Sequence, residues 1–536
     1  MNKTKSPKPS PQKRPSPQKT PSPQKTPSPQ NRNTRKSSLS SSYGRDDDTH
    51  DTPRKRVQQT RKNKASIDQL LKKLPSDTVA HLTRIYSTVG HNRERANVLV
   101  KLCNDMGFCM AIGKMDDSIR NFFDGFTNYD LVTGLKCLGQ ESRNGFVMEI
   151  RYQKEGYNAL TILKSSRRKD ADNLYYEFIV GWNFLNYWKR FLPCFLETYA
   201  LIEYTDSVSY KNFLNYCKDK DNKKTKTAGI SNLQISDLKN SLNNLSPAND
   251  HTLKSCSESR KIGIIIQHLN NAESLGDYLE KYLDQRREER DGPEDDIALF
   301  LDSIGNILFQ IYGSLWSLRS TFTHYDLHVD NVMIYRPHID KYIEFVYHLP
   351  ENDIVTFKSC FIPKILDYGR CHFDASNLPN MKNDKIHQSS SSIFTNNLDR
   401  VCTDGGIESG YNMKEGEPGS YWYINPISKN ESHDLKLLAG LNDVFPAYEW
   451  DPFAISDVLH QILKNIVYET PNGTPEDIGE YGDLKIHNIT EAFYRLCHEV
   501  WTYKQKESLY DGMTKLGVLH VYLDPVNIKP MEMIYS

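Results

Sequence analysis

One short run restricts what this chain can fold into more than any other: Thr323-His324-Tyr325-Asp326-Leu327-His328-Val329-Asp330-Asn331. It follows a long amphipathic stretch, Asp295 to Leu318, in which Leu301, Ile304, Leu308, Ile311, Leu315 and Leu318 share one helical face. It leads into an apolar strand, Val332 to Tyr335. Downstream, the apolar run Ile362 to Leu366 ends at Asp367-Tyr368-Gly369. Asp326, Asn331 and Asp367 therefore all stand in loops at strand ends, where their side chains can converge.

The rest of the chain is ordered around this run. Residues 1–65 are low in complexity, repeat Pro-Ser-Pro-Gln-Lys, and carry many Lys and Arg against four Asp. Such a segment has little to bury and is expected to be disordered. It reads as a phosphorylated or RNA-attracting tail, or as an inert solubilising extension. Residues 66–115 show helical spacing (Ile67, Leu70, Leu71, Leu74, then Val79, Leu82, Ile85, Val89), and a helical accessory segment is expected over 66–117. Strands then dominate: Phe146 to Tyr152, Ala159 to Leu163, Phe195 to Tyr204 and the unbroken apolar run Ile262 to Ile266. One helix is expected from Asp172 to about Tyr187, a polar insertion over 205–260, and mostly helix and loop in the later residues. Strands first and helices later predict an α+β chain.

Phosphoryl transfer needs few parts: a carboxylate to orient and deprotonate the acceptor hydroxyl, oxygen ligands for magnesium, and a cation on the phosphates. Asp-x4-Asn followed by Asp-aromatic-Gly meets the first two needs, with Asp326 as base and Asn331 and Asp367 as Mg2+ ligands. A His-x-Asp pair also occurs in iron oxygenases on all-β scaffolds. The preceding long helix and the later Asn331 and Asp367 argue against that.

With these residues the sequence resembles the protein-kinase family, whose signature is His-Arg-Asp-Leu-Lys-x-x-Asn followed by Asp-Phe-Gly. More narrowly it is similar to the kinase-like proteins of large DNA viruses, through Asp-Leu-His and the turn Ser142 to Val147. The resemblance implies a bilobal fold, with a β-rich N-lobe over 118–270 and a helical C-lobe over 271–536. The latter carries an extra hairpin in 336–362 and a long activation-like segment, 367–430. It implies ATP as cosubstrate, with Lys164, in Ala159 to Lys164, on the phosphates and Glu177 as its ion-pair partner. Leu138, Gly139, Gly145 and Val147 correspond to a degenerate glycine-rich loop. Gln267 to Asn270 falls at the hinge, and Asp434 matches the aspartate that braces the catalytic loop. The implied activity is that of a Ser/Thr protein kinase acting on a protein substrate. A small-molecule kinase of the aminoglycoside-phosphotransferase type, and a nucleotide-binding pseudokinase scaffold, are the alternatives.

The sequence departs from the pattern at two loop positions. Tyr325 stands where the family has arginine, so phosphate-gated closure through that arginine is not expected. His328 replaces the lysine two residues after the base, and a protonated imidazole is its expected substitute. The bulk numbers bound partners and place. Acidic and basic residues balance at 68 each, so the whole molecule is no polyanion binder, and only the basic tail offers a weak nucleic-acid contact. No membrane span or signal peptide was evident among the apolar runs, and the ten scattered cysteines form no Cys-x-x-Cys pair. Reduced thiols and a cytoplasmic site (host cytoplasm or virion, if viral) are the expectation.

Overall fold

The computed structural model describes residues 116–138, 145–155, 157–166, 174–218, 238–240, 262–288, 295–379, 388–393, 424–445, 456–469, 475–477, 485–524 and 529–536. The basic tail, the helical repeat of 66–115, Gly139, Ser142 to Asn144 and much of the 205–260 and 367–430 segments lie outside these residues. The described chain mixes sheets and helices and is α+β.

Six strands form the first sheet: β1 (Val132–Leu138), β2 (Gly145–Lys154), β3 (Tyr157–Ser166), β4 (Thr198–Tyr204), β5 (Leu238–Asn240) and β6 (Ile262–Gln267), in the order β1-β2-β3-β6-β4-β5. Side chains alternate between the faces of a strand. Phe146, Met148, Ile150 and Tyr152 therefore point one way, opposite Ser165, Leu163, Thr161 and Ala159, and all are buried. Val147, Glu149 and Arg151 point the other way, opposite Lys164, Ile162 and Leu160. The buried face packs with Phe123 and Phe126 and with Tyr210 and Phe213 of a helix, Ser207–Lys218. That helix corrects the reading of 205–260 as a polar insertion. Lysines and asparagines occupy its outer positions, and its aromatic residues are spaced three apart, which a composition-based reading overlooks.

The helix expected from Asp172 to Tyr187 is three pieces: Leu174–Ile179, a π-helical stretch Val180–Leu185, and Asn186–Trp188. A close approach to β4 explains the irregularity. A Cβ at Gly181 would lie 2.1 Å from Thr198 Oγ1, so only glycine fits there. Asn186 then clamps Thr198, donating from Nδ2 to its carbonyl (2.7 Å) and accepting its N–H at Oδ1 (2.9 Å).

A second, larger core surrounds the helix Asp295–Leu318. By length and composition this helix could cross a bilayer, which the reading of apolar runs did not register, but 89% of its apolar window is buried inside the protein. Phe309 shows why it sits there: it packs edge-on to Tyr347 and Phe357 and stacks on Phe493. Each such side chain removed from water contributes roughly 1.5–3 kcal/mol.

Among the described residues the remaining strands form four smaller sheets. β7 (Ala272–Ser274), β9 (Val332–Tyr335) and β12 (Ile362–Ile365) form a three-stranded sheet, ordered β12-β9-β7. β8 (Phe322–Thr323) pairs with β13 (His372–Phe373). β10 (Lys341–His348) and β11 (Ile354–Ser359) form a hairpin whose turn puts Glu351 and Asn352 at φ +63° and +68°. β14 (Val467–Glu469) pairs with β15 (Pro475–Asp477). The hairpin is joined by β16 (Thr514–Tyr522), parallel to β10, and by β17 (Glu532–Tyr535). The expectation of mostly helix and loop late in the chain is corrected here. The partner of β16, β10, is remote in sequence, so no connecting turn signals this pairing.

The expectation of reduced thiols is also corrected. Cys137 of β1 and Cys217 of the 207–218 helix form a disulfide with Cα atoms 5.4 Å apart, within ordinary bridging reach. Cys194, Cys360, Cys371 and Cys497 are free and buried.

Candidate active site

Lys164 lies near the C-terminal end of β3, on the sheet face opposite the buried aromatic layer. In register it stands across from Val147 of β2, which stands across from Leu138 of β1. Three of the glycine-loop and phosphate-site candidates thus form one row over three strands. Gly145 begins β2 opposite Ser166, and Gly139 lies outside the described residues.

The Lys164 ammonium donates to Glu177 Oε2 at 2.8 Å and to Asp367 Oδ1 at 3.0 Å. Glu177 comes from the helix Leu174–Ile179 and is only 4% exposed. Asp367 follows β12 in a left-handed conformation, φ +63° and ψ +69°. A non-glycine residue there costs on the order of 1 kcal/mol, and such strain gathers at functional sites. The turn is pinned by Tyr368, whose hydroxyl donates to the Ile365 carbonyl (2.5 Å) and accepts the Leu196 N–H (3.2 Å). Desolvation pushes the Asp367 carboxyl up, but the charge and hydrogen bond of Lys164 and the charge of Arg370 outweigh it and hold it below the ordinary range.

The 324–331 loop is held from beneath. Asp434, in the turn His433–Leu435, accepts the N–H of His324 at 2.7 Å and of Tyr325 at 3.0 Å. Burial lifts its carboxyl to about 7, while those two N–H bonds pull it down. Aligning both amides on one carboxylate puts Tyr325 at φ +62°. The Tyr325 side chain is buried and donates from its hydroxyl to the Ser428 carbonyl (2.7 Å). Where the family pattern has a charged arginine, this chain has an aromatic anchor for the segment near 428.

His324 ties the loop to the Asp367 turn. Its Nε2 lies 2.7 Å from the Leu366 carbonyl, which can only accept, so Nε2 carries the proton. Its Nδ1 then accepts the Asp326 N–H at 3.3 Å. Burial lowers its pKa, which keeps the ring neutral in that tautomer. Asn331 closes the arrangement: its Nδ2 donates to the Asp326 carbonyl (2.8 Å), and its own carbonyl accepts the Leu366 N–H (2.9 Å). Because Val332 of β9 pairs with Ile365 of β12, Asn331 and Asp367 emerge from adjacent strand ends.

Two cations not anticipated from sequence flank Asp326. Arg370 Nη1 lies 3.2 Å from Oδ2, and Lys436 Nζ lies 3.9 Å from Oδ1. Arg370 follows Asp367 closely, so its place beside the site had a local signal; Lys436 is brought in by tertiary packing and had none. His328 caps the short turn Val329–Asn331, its Nδ1 3.3 Å from the Asp330 backbone nitrogen and 3.7 Å from Asp330 Oδ2. Just after β6, His268 Nε2 lies 3.3 Å from Glu149 Oε2, on the same sheet face as Lys164. A hydrogen bond from His268 is the main reason that carboxyl is lowered.

Magnesium is ordinarily held by one or two hard-oxygen side chains together with phosphate oxygens. The Asp367 carboxylate and the Asn331 amide oxygen, whose nitrogen is turned to the Asp326 carbonyl, fit that donor set. Among the described residues no group of three or more His, Cys, Asp or Glu gathers to hold a metal by itself.

No family model and no curated protein matches the chain. Among solved structures it is similar to a crystallised kinase domain, at 12% identity and a TM-score of 0.22, over 46% of this chain and 53% of that one. It is also similar to WaaP in complex with acyl carrier protein, at 11% identity and a TM-score of 0.20, over 55% of this chain and 92% of that one. The chain thus spans about half the length of the first of these, and the site's chemistry rests on its own residues.

Proposed function

We propose that the chain is an ATP- and magnesium-dependent phosphotransferase of two-lobed, protein-kinase-like build that phosphorylates Ser or Thr hydroxyls of proteins. The observation that carries this reading is Lys164, bonded at once to Glu177 (2.8 Å) and Asp367 (3.0 Å). A cation fixed between a buried helix carboxylate and the carboxylate of an Asp-aromatic-Gly turn is what nucleotide phosphates require. Lys164 would hold the phosphates, and Glu177 would keep Lys164 from swinging away. Asp367 and Asn331 would hold magnesium, which neutralises phosphate charge when bound. Asp326 would take the acceptor's proton, and His324, Asn331 and Asp434 would hold the loop that presents it.

The acceptor is read from charge. Arg370 and Lys436 stand at the two oxygens of Asp326. Two cations at the base disfavour a small polycationic acceptor, which counts against the aminoglycoside-type alternative. The test is transfer of γ-labelled phosphate from ATP to casein, to histone and to an aminoglycoside, in parallel. Label on Ser or Thr of the proteins is the expected result. Label on the aminoglycoside alone would replace this reading with the small-molecule one, and nucleotide binding with no transfer, even to water, with the scaffold.

A further inference from the structure

We infer that Glu149 reads the nucleobase of the phosphate donor, accepting the base's exocyclic amino group at its carboxylate, with His268 as the residue that positions it; this deepens the phosphotransferase reading and rests on it. A nucleotide held at its phosphates by Lys164 has to lay its base within one nucleoside's length of that ammonium. The sheet face that carries Lys164 offers the place. Val147, Ile162 and Ile266 stand on it in β2, β3 and β6, each only half-buried. Apolar side chains on a sheet face make a flat surface against which an aromatic base packs.

One polar pair borders this apolar strip. Glu149 follows Val147 on the same face of β2, opposite Ile162, and His268 follows Ile266 just past the end of β6. β3 runs between β2 and β6, so the two side chains meet across it, with His268 Nε2 3.3 Å from Glu149 Oε2. Counted along β3 from Lys164, the pair stands roughly 7–13 Å away at the usual rise of a strand. That distance accommodates a ribose and a base, which brings the edge of the base to the pair. The place of His268 is fixed by its neighbour. Gln267 donates its N–H to the Glu197 carbonyl (2.8 Å) and accepts the Glu197 N–H at Oε1 (3.3 Å).

An ionised carboxylate only accepts, so the proton in this contact is on His268 Nε2. Among the described residues His268 is the hydrogen-bonded partner of Glu149, and it takes Oε2. Oε1 is left to accept from a ligand. Lys136, across from Glu149 on β1, and Arg151, further along β2, add positive charge that keeps the carboxylate ionised. The two side chains are 12% and 13% exposed, so a ligand reaches them without unfolding the sheet. The 6-amino group of adenine can donate to Oε1. A 6-oxo group in its place sets a second acceptor against the carboxylate and is rejected. The competing role is a plain structural tie between β2 and the segment after β6, which is indifferent to the base.

The test titrates the full chain calorimetrically, with magnesium, against ATP and against inosine triphosphate, which carries a 6-oxo group in place of the 6-amino group. Wild type should bind ATP at least about tenfold more tightly. Glu149→Gln should bring the ratio of the two affinities to within about threefold of one, because its amide can turn to give its NH2 to the 6-oxo group. Glu149→Ala, which presents neither donor nor acceptor, should do the same. His268→Ala should lower the ratio by about threefold or more, and His268→Gln, which keeps a donor, should recover it. A variant that only loosens the fold weakens both nucleotides alike and leaves the ratio standing. A wild type that does not distinguish the two nucleotides, or a wild-type ratio kept in both Glu149→Gln and Glu149→Ala, overturns the assignment. An unchanged ratio in His268→Ala removes the positioning role. Transfer from ATP to casein separates the two levels of the argument. If the wild type transfers phosphate while the Glu149 variants keep its ratio, only the role of Glu149 falls. If the wild type binds neither nucleotide and transfers nothing, the phosphotransferase reading falls and takes the assignment with it.

Discussion

Asp326→Asn is expected to slow phosphate transfer by about 1,000-fold and to leave ATP affinity within about threefold of wild type. The substitution is nearly isosteric, and the contacts that shape the loop are made by other groups. The Asp326 carbonyl still accepts from Asn331 Nδ2, and its N–H still donates to His324 Nδ1. Asp434 still holds the preceding amides. What is lost is the acceptor for the hydroxyl proton, together with the charge facing Arg370 and Lys436. The proposed nucleotide side, Lys164 and Asp367, is untouched. Single-turnover labelling beside a calorimetric ATP titration reads both quantities. Full activity in the variant would remove Asp326 from the chemistry, and loss of ATP binding would place it in the nucleotide site instead.

Lys164→Met should give a different pattern, with effects on both catalysis and stability. Transfer should fall by about 100-fold through misplaced phosphates. Stability should fall by about 2 kcal/mol, because the cation facing a nearly buried carboxylate is gone. The usual cost of breaking a fully buried pair is roughly 3–5 kcal/mol. A smaller figure applies here because the Lys164 side chain is 18% exposed. The two effects can be separated. Glu177→Gln in the Lys164→Met background removes the uncompensated charge and should return most of the stability with none of the activity. Denaturant midpoints and transfer rates on the same preparations decide it. Recovery of activity in the double variant would mean that another cation holds the phosphates.

The parts of this site that were legible in the sequence are those fixed by local pattern. β9 and β12 announce themselves as apolar runs, and their antiparallel pairing brings Asn331 and the Asp367 turn to adjacent ends. Lys164 sits at the end of an apolar strand, before a helix with one inward glutamate, and the family resemblance implies that pair. Legibility ends where a contact spans the fold. Lys436 meets Asp326 through packing of separate elements, and an isolated Asp-Leu-Lys looks like any solvated helix start. The same limit explains the Cys137–Cys217 bond and the pairing of β16 with β10. The π-helical stretch at Val180–Leu185 depends on a backbone approach between Gly181 and Thr198, which periodicity does not encode.

The central claim is that Lys164, Asn331 and Asp367 surround one magnesium-bound nucleotide. Calorimetric titration of the full chain with ATP, with and without magnesium, on wild type and Asp367→Ala, tests it most directly. The account predicts that magnesium tightens ATP binding to the wild type by at least about tenfold, and that Asp367→Ala loses this gain. A wild-type chain that binds no nucleotide in either condition would contradict it.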